Sequence, residues 1–476
     1  MSFAEWYRSA DALAAALVER GVRPGDVVAI MLATSIDYAI AYGAIALAGG
    51  VATGLNPRLG EREIRSILGR AQPSAVILDP DLFTIMAHGG VPHADIVVVN
   101  RSELAALYER SGLGDRRPRR DPSDAAVIIW TSGTTGIPKG AWFDHRNLHA
   151  AVASAGVMSN PYDVKLVGTP FAHAGFMAKI WDQLGWGSTI VIAPTPWRAC
   201  DMLRLLVDER ITVAGGVPAQ WAKLLDLPGA AAADLSHVRL GLVATAPAAP
   251  ELIERVSSTI GCALVVRYAM TESPSITGTD PDDDPMVQCR TVGRPQAGME
   301  IELVDDDGAL VPQGEVGRVR IRGECVMRGY WGDRDQTAAV LADDGWLTSS
   351  DLGLFDDSGN LVLVGRATDM YIRGGYNVYP LEVENVLAEH PGIEQAAVVG
   401  SPAPVIGEIG VAFVAPTDPM DPPTLVEVRM WVIDRLADYK APDRLVILES
   451  LPLTAMMKID KAELGRRAAA TTDDRA

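Results

Sequence analysis

Positive charge is scarce in this 476-residue chain: 42 lysines and arginines stand against 61 acidic residues, a formal net charge of −19. Such a surface repels nucleic acid and anionic membranes, so neither is expected as a partner, and a polyanionic ligand must be met by locally placed cations. Cysteine is rarer still. Cys200, Cys262, Cys289 and Cys325 form no C-x-x-C pair and no cluster with histidine, so neither a zinc site nor a disulfide framework is expected, and a reducing, cytoplasmic setting suits them. Long hydrophobic runs are missing too. The longest uncharged stretch, Tyr38 to Asn56, is interrupted by Gly43, Gly49, Gly50 and Gly54, which fits a packed helix and a loop rather than a transmembrane segment. Glu5 and Asp11 fall where a secretory signal would need a basic start and an unbroken apolar core.

What is present is an ordinary globular composition, 48% hydrophobic and 22% charged, in a chain long enough for two or more domains. Helical spacing over Ser9 to Leu17, a turn at Arg23-Pro24-Gly25-Asp26 and an apolar run Val27 to Leu32 set an α/β rhythm. It continues through a helix over Glu61 to Arg70 and strands Ala75 to Leu78 and Ile96 to Val99. Strands Lys165 to Val167, Ile190 to Ile192, Thr212 to Gly215 and Leu240 to Val243, with helices Met202 to Glu209 and Ala219 to Leu225, make a second α/β set. Such alternation predicts doubly wound sheets with ligands at the carboxyl ends of the strands. From Met299 the period changes to two, and Asp305-Asp306-Asp307-Gly308 reads as a turn between Met299 to Val304 and Gly317 to Ile321, so a small distorted β-barrel is expected there. A compact α+β segment follows, with a helix from Leu381 to Glu389.

The strand Ala125 to Trp130 empties into Thr131-Ser132-Gly133-Thr134-Thr135-Gly136-Ile137-Pro138-Lys139-Gly140, ten residues with three glycines, four hydroxyls and one lysine. Glycines let successive N–H groups turn toward one anion, hydroxyls add donors, and Lys139 supplies a point charge, which together suit a polyphosphate. No Gly-Lys-Ser/Thr closes the loop and no helical pattern begins at Lys139, so it is not a Walker A motif. A Gly/Thr-rich hairpin turn is the plainer alternative. Asp144 is placed to cap a helix carrying apolar residues to Val157. The Asp115 to Pro122 segment, with four arginines, reads as a solvated linker or, less favoured, an attractor of an anionic ligand. Asp280-Pro281-Asp282-Asp283-Asp284-Pro285 reads as a solvated loop rather than a metal cage.

The Thr131–Gly140 stretch resembles the phosphate-binding signature of the adenylate-forming superfamily, which includes acyl-CoA synthetases, adenylation domains of peptide synthetases and firefly-type luciferases. Further segments follow in the family's order. Pro170-Phe171-Ala172-His173 resembles the segment whose histidine lies near the acyl pocket and thiol entry. Ala172 stands where amino-acid-activating members generally carry an aspartate, which lowers the amino-acid reading. Ala244-Thr245-Ala246-Pro247 is similar to the turn that lies against adenine. Arg267-Tyr268-Ala269-Met270-Thr271-Glu272 resembles Tyr-Gly-x-Thr-Glu, with Ala269 for the glycine: Tyr268 would face the purine, Thr271 the α-phosphate and Glu272 a Mg²⁺ ion. Ser349-Ser350-Asp351 occupies the place of Thr-Gly-Asp, which implies that Asp351 accepts from both ribose hydroxyls.

The resemblance also implies a large N-terminal domain over 1–365, a hinge at 366–369 and a mobile C-terminal domain over 370–476. Arg366 would contact the nucleotide, with Thr368 where the pivot commonly holds Asp or Lys. Gly374 and Gly375 would line the pantetheine passage. Leu451-Pro452-Leu453-Thr454 leads to Lys458, in the position of the family's catalytic lysine, with Met457 replacing the usual glycine. The implied activity is that of an acid–CoA ligase using ATP, Mg²⁺ and CoA on a mostly apolar carboxylic acid, with His173 and Thr245 at the substrate pocket. An acyl-AMP ligase serving a carrier protein is the nearest alternative, and a catalytically silent relative a more distant one.

Overall fold

The computed structural model describes residues 1–82, 97–131, 138–243, 250–404, 406–454 and 458–473. Two seven-stranded sheets form the body. In the first, the spatial order is Gly329–Tyr330, Lys139–Asp144, Ala125–Thr131, Val51–Gly54, Val27–Met31, Ala75–Leu78 and Val97–Asn100. Its inner strands are parallel, and Lys139–Asp144 and Gly329–Tyr330 add an antiparallel edge. Val27–Met31 is buried along its whole length, as a strand covered on both faces must be, which explains its unbroken apolar sequence. The second sheet runs Arg294–Pro295, Ser273–Gly278, Ala263–Met270, Leu240–Val243, Val213–Gly216, Val164–Val167 and Thr189–Ile192, parallel except for its first two strands.

The period-two region forms a four-stranded antiparallel sheet, Met299–Val304, Gly317–Gly323, Leu347–Phe355 and Leu361–Arg366. The expected barrel therefore takes an open form, because no pairing among the described residues joins its two outer strands. Tyr371–Arg373, Tyr376–Val378, Ile393–Ala403, Gly407–Pro416 and Arg444–Ile447 make a separate sheet with its own core around Val383, Val398 and Val428. Among the described residues no helix is long and apolar enough to cross a membrane.

Local chemistry accounts for element ends. Ser2 and Glu5 form a reciprocal cap, so the first helix spans Phe3–Glu19, beyond the Ser9 to Leu17 core of its pattern. Asp144 caps the helix His145–Ala153 by accepting from the Asn147 N–H. That helix stops before the expected Val157: Ser154 closes it, and Gly156 at φ +53° opens a short 3₁₀ turn, Gly156–Met158. Between the sheets lies a block of Tyr38, Tyr42, Phe171, Phe176 and Met177, with Phe171 and Phe176 stacked at 3.4 Å and the Tyr42 hydroxyl donating to the Met177 carbonyl at 2.7 Å. This block anchors the loop that carries His173.

Candidate active site

Thr131 and Lys139 are cross-strand partners at the end of an antiparallel pair, so the glycine-rich loop joins two hairpin strands and its ends are held together. The hairpin geometry and the phosphate-binding reading are thus compatible. Ser132, Gly133, Thr134, Thr135 and Gly136 lie outside the described residues, as do Thr245, Ala246, Pro247 and Met457. Gly140 has a packing reason: a Cβ there would come within 2.7 Å of Ile128 and 3.0 Å of Trp130. The Trp130 indole in turn donates to Thr53 Oγ1 at 2.7 Å, tying the root of the loop to the neighbouring strand.

Lys139 holds its ammonium 5.1 Å from the centroid of the Tyr330 ring, and the Tyr330 hydroxyl donates to Glu272 Oε1 at 2.8 Å. One buried tyrosine thereby connects the lysine of the loop to the carboxylate expected to meet metal. Burial and the adjacent Glu272 charge raise the Tyr330 pKa, so the hydroxyl stays a donor. Thr271 and Glu272 form the two-residue turn between the paired Met270 and Ser273 and so project from the tip of a hairpin. The register shifts between Tyr268 and Met270, leaving Ala269 at the irregularity. The Glu272 carbonyl accepts from Met327 N at 2.8 Å, which fixes the turn from below.

Asp351 sits opposite Arg366 in neighbouring strands. Its Oδ1 accepts from Arg366 Nε at 3.0 Å and its Oδ2 from the Tyr268 hydroxyl at 2.5 Å. A carboxylate offers about four lone-pair positions, so each oxygen keeps one for a further donor, enough for two ribose hydroxyls. The Tyr268 ring is 8% exposed; besides any face it offers to a purine, it orients Asp351. Ser349 has a defined task. Its hydroxyl donates to the Val319 carbonyl and accepts from the Asp351 N–H, each at 3.0 Å, so the Ser349-Ser350 departure is built into the strand Leu347–Phe355, where its pairing with Gly317–Gly323 shifts register.

The remaining groups arrive from other elements. His173 caps the short helix Ala174–Met177, with Nδ1 accepting from Gly175 N at 3.2 Å, which leaves the ring proton on Nε2. Burial and then the Lys458 charge lower its pKa to about 4. Lys458 is solvent-accessible but walled by protein in a cleft. Burial and Arg366 lower its pKa, against the opposing pull of Asp351 and Glu272. His173 feels the Lys458 charge, and Lys458 those of Arg366, Asp351 and Glu272, so these five groups share one neighbourhood, drawn from the second sheet and the loop after one of its strands, the antiparallel sheet and the C-terminal segment. Burial opposes the Arg366 charge, but Asp351 and Asp369 outweigh it and raise its pKa.

Gly374 and Gly375 form the turn between paired Arg373 and Tyr376, with φ of +58° and +89°. A two-residue hairpin with positive φ at both positions is where glycine is required. A Cβ on either would meet nothing within 4 Å, so this turn faces open space.

Other charged segments have structural duties. In the arginine-rich linker Arg116 donates to the Leu113 and Gly112 carbonyls, Arg117 pairs with Asp11, and Arg120 pairs with Asp124. In the acidic loop Asp283 accepts from the Asp280 N–H and Asp284 caps the helix Pro285–Arg290. Reading the sequence missed Tyr330 and the orienting roles of Tyr268 and Ser349. The Gly329-Tyr330-Trp331 cluster was the one local signal, and no spacing rule ties it to Glu272.

A hairpin-closed glycine-rich loop, a metal-suited carboxylate, a ribose-suited aspartate and a cleft lysine define an adenylate-forming enzyme. The family model for AMP-binding enzymes matches residues 1–331, and that for the AMP-binding enzyme C-terminal domain matches residues 382–458. The chain belongs to the AMP-binding enzyme family, in its acyl-CoA synthetase branch.

Among relatives, a feruloyl-CoA synthase of Amycolatopsis is 34% identical over 98% of this chain and 94% of its own. A 3-[(3aS,4S,7aS)-7a-methyl-1,5-dioxo-octahydro-1H-inden-4-yl]propanoyl:CoA ligase of Mycobacterium tuberculosis is 33% identical over 95% and 90%. A fatty acid–[acyl-carrier-protein] ligase of Streptomyces coeruleorubidus is 30% identical over 98% and 91%. The ATP-bound structure of MatB from Rhodopseudomonas palustris superposes with a TM-score of 0.89 at 28% identity, covering 98% of this chain and 93% of that one. The apo structure of the same protein gives 0.78 at 28% identity, covering 99% and 94%.

Proposed function

We propose that the protein is an ATP-dependent acid–CoA ligase. A carboxylate oxygen of the acid attacks the α-phosphorus of ATP, the new P–O bond forms as the bond to pyrophosphate breaks, and acyl-AMP results. The CoA sulfur, having lost its proton, then attacks the acyl carbon; the C–S bond forms and AMP leaves. The obstacle in the first step is repulsion between anions.

The loop residues Thr131, Ser132, Gly133, Thr134, Thr135, Gly136 and Lys139 would hold the β- and γ-phosphates. Thr271 would donate to the α-phosphate, Ala246 and Pro247 would lie against adenine beside Tyr268, and Asp351 would take the ribose. Lys458 and Arg366 would bind the anionic oxygens where charge spreads in the transition state. A single carboxylate, Glu272, with one oxygen oriented by Tyr330, suits a Mg²⁺ ion whose other ligands are phosphate and water oxygens. Such an ion would neutralise phosphate charge. His173 and Thr245 would border an acyl pocket for a mostly apolar acid, which suggests a place in fatty acid metabolism, and the unpaired cysteines suit the cytoplasm.

Two lobes, 1–365 and 370–476, would turn about 366–369. The start of that segment is tied to the large lobe through the Ala367 N–H to Ser350 carbonyl bond at 2.8 Å, and Asp369 lies 4.0 Å from Lys461 of the small lobe. Rotation would withdraw Lys458 after adenylation and bring Gly374 and Gly375 to the pantetheine passage.

The observation that carries this reading is the convergence of Lys458 on Glu272, Asp351 and Arg366 across the cleft. Pyrophosphate release over a panel of carboxylic acids tests it, together with AMP release with and without CoA. Acid-dependent pyrophosphate release and CoA-stimulated AMP release are expected. AMP release that ignores CoA but responds to a carrier protein would transfer the second step to that acceptor, the activity named for the Streptomyces coeruleorubidus relative. Absence of acid-dependent ATP consumption would overturn the proposal.

A further inference from the structure

Lys223, on the helix Pro218–Leu225 of the large lobe, meets Glu394 of the C-terminal lobe, Nζ to Oε1 at 3.4 Å. Among the described residues this is the one ion pair that joins 370–476 to 1–365. Neither charge is among those that Lys458 feels, so the contact is separate from the cleft. Each partner is placed by its own element. Lys223 stands in the last turn of a helix fixed to the second sheet: the fully buried Trp221 donates its indole N–H to the Leu242 carbonyl at 3.2 Å, and Gln220 accepts from the Val217 N–H at 3.1 Å. Glu394 lies in the strand Ile393–Ala403, where its pairing with Gly407–Pro416 shifts register between Ile393 and Gln395. The extra residue of such a bulge leaves the ladder and its side chain is re-aimed, here toward Lys223.

A second acid of the small lobe approaches the same surface. Glu389 closes the helix Pro380–Ala388, an end where negative charge opposes the macrodipole, and Arg435 at 3.8 Å offsets part of that. The turn between the two acids is fixed by Gly392 N donating to His390 Nδ1 at 3.0 Å. On the large lobe, Arg290 ends the helix Pro285–Arg290 beside Cys289. Burial is the first cause of the raised Cys289 pKa; Arg290 opposes it, and Glu389 adds to it from across the lobes. The helix Pro250–Ile260 packs against both Pro218–Leu225 and Pro285–Arg290. One helical surface of the large lobe therefore presents Lys223 and Arg290, and the small lobe brings Glu394 and Glu389 to it.

We propose that the Lys223–Glu394 ion pair is an inter-lobe latch: it holds the small lobe in the orientation that keeps Lys458 in the cleft, and it must open for the turn about 366–369 that precedes thioester formation. The proposal rests on the ligase reading with two lobe orientations and adds to it a contact outside the cleft that sets their balance. The two side chains are 59% and 41% exposed, so water weakens their attraction, and such a pair shifts an equilibrium by about two- to fivefold. That is enough to bias the lobes and too little to lock them, as a step that must reverse in every turnover requires.

The test measures the two half-reactions separately at low salt: acyl-AMP formation from acid and ATP, and thioester formation from supplied acyl-AMP and CoA. In Lys223→Glu and in Glu394→Lys like charges face each other, and the ratio of the first rate to the second should fall by about two- to fivefold. The double variant Lys223→Glu/Glu394→Lys sets opposite charges together again and should return toward the wild-type ratio. At about 1 M salt, where the screening length is about 3 Å, all four proteins should converge on one ratio. A wild-type ratio in both single variants overturns the proposal. So does a double variant that shows the two single effects added, because each charge then acts within its own lobe, Lys223 through the end of its helix. Either result sinks the latch alone while both half-reactions still run, whereas equal loss of both half-reactions in Lys458→Ala, or no acid-dependent pyrophosphate release by the wild-type protein, sinks the reading beneath it.

Discussion

Asp351 and Glu272 are each oriented by a tyrosine hydroxyl, Tyr268 for the first and Tyr330 for the second. A carboxylate that must meet a ligand with a fixed face gains from such a bond, because its rotation is settled before the ligand arrives. Tyr330→Phe keeps the ring beside Lys139 and removes only the hydroxyl. Loss of one hydrogen bond to a charged group is worth about 1.5–3 kcal/mol, so the Mg²⁺ concentration for half-maximal adenylation should rise by about tenfold or more, with the acid's KM little changed. Equal shifts in both would assign Tyr330 a general structural role.

His173 makes a pH statement. The imidazole is neutral in the folded protein until about pH 4, held down by burial and by Lys458, whereas an unfolded-state histidine takes up its proton near 6.5. The unfolded state therefore binds the proton first as acid is added. The stability from this group is complete above about pH 6.5 and is lost as pH falls toward 4. Between pH 7 and 4.5 the wild-type protein should lose roughly 2 kcal/mol more than His173→Gln, read from urea unfolding at the two pH values. Parallel losses would mean that the imidazole is not held neutral.

At the scale of elements, the turn Gly374-Gly375 has both residues at positive φ with nothing near their missing side chains. Gly375→Ala should thus cost backbone strain alone, about 1–2 kcal/mol, lowering the unfolding temperature of the C-terminal segment without a clash. No loss would contradict the left-handed geometry. Such turns, and the parallel strands of the body, are legible in sequence because they depend on neighbours in the chain: an apolar run, a glycine pair, an aspartate before a helix. The helix at His145 was extended too far because its apolar pattern continues through a Gly156 that turns the backbone. The antiparallel sheet was expected as a barrel because alternation reveals strands, not whether the outer two meet. Tyr330 and Ser349 were not legible as functional groups. Each acquires its meaning from a partner far along the chain, Glu272 or Val319, and a single sequence carries no trace of that meeting.

At the scale of the molecule, the cleft unites groups that no one sheet could present: a hairpin loop of the first sheet, a hairpin tip of the second, a strand pair of the antiparallel sheet, and a C-terminal lysine. The whole-chain superposition is closer to the ATP-bound than to the apo form of a solved relative, and Lys458 lies with the nucleotide-side groups in this arrangement. The exposed Gly374-Gly375 turn faces away from packing in the same arrangement. Division of labour between two lobe orientations is the central claim, and Lys458→Ala examined one half-reaction at a time tests it most directly. Acyl-AMP formation from acid and ATP should fall by about 10²–10³, the scale of one preorganised electrostatic contact, while thioester formation from supplied acyl-AMP and CoA proceeds at close to the wild-type rate. Equal loss in both half-reactions, or loss in neither, would contradict it.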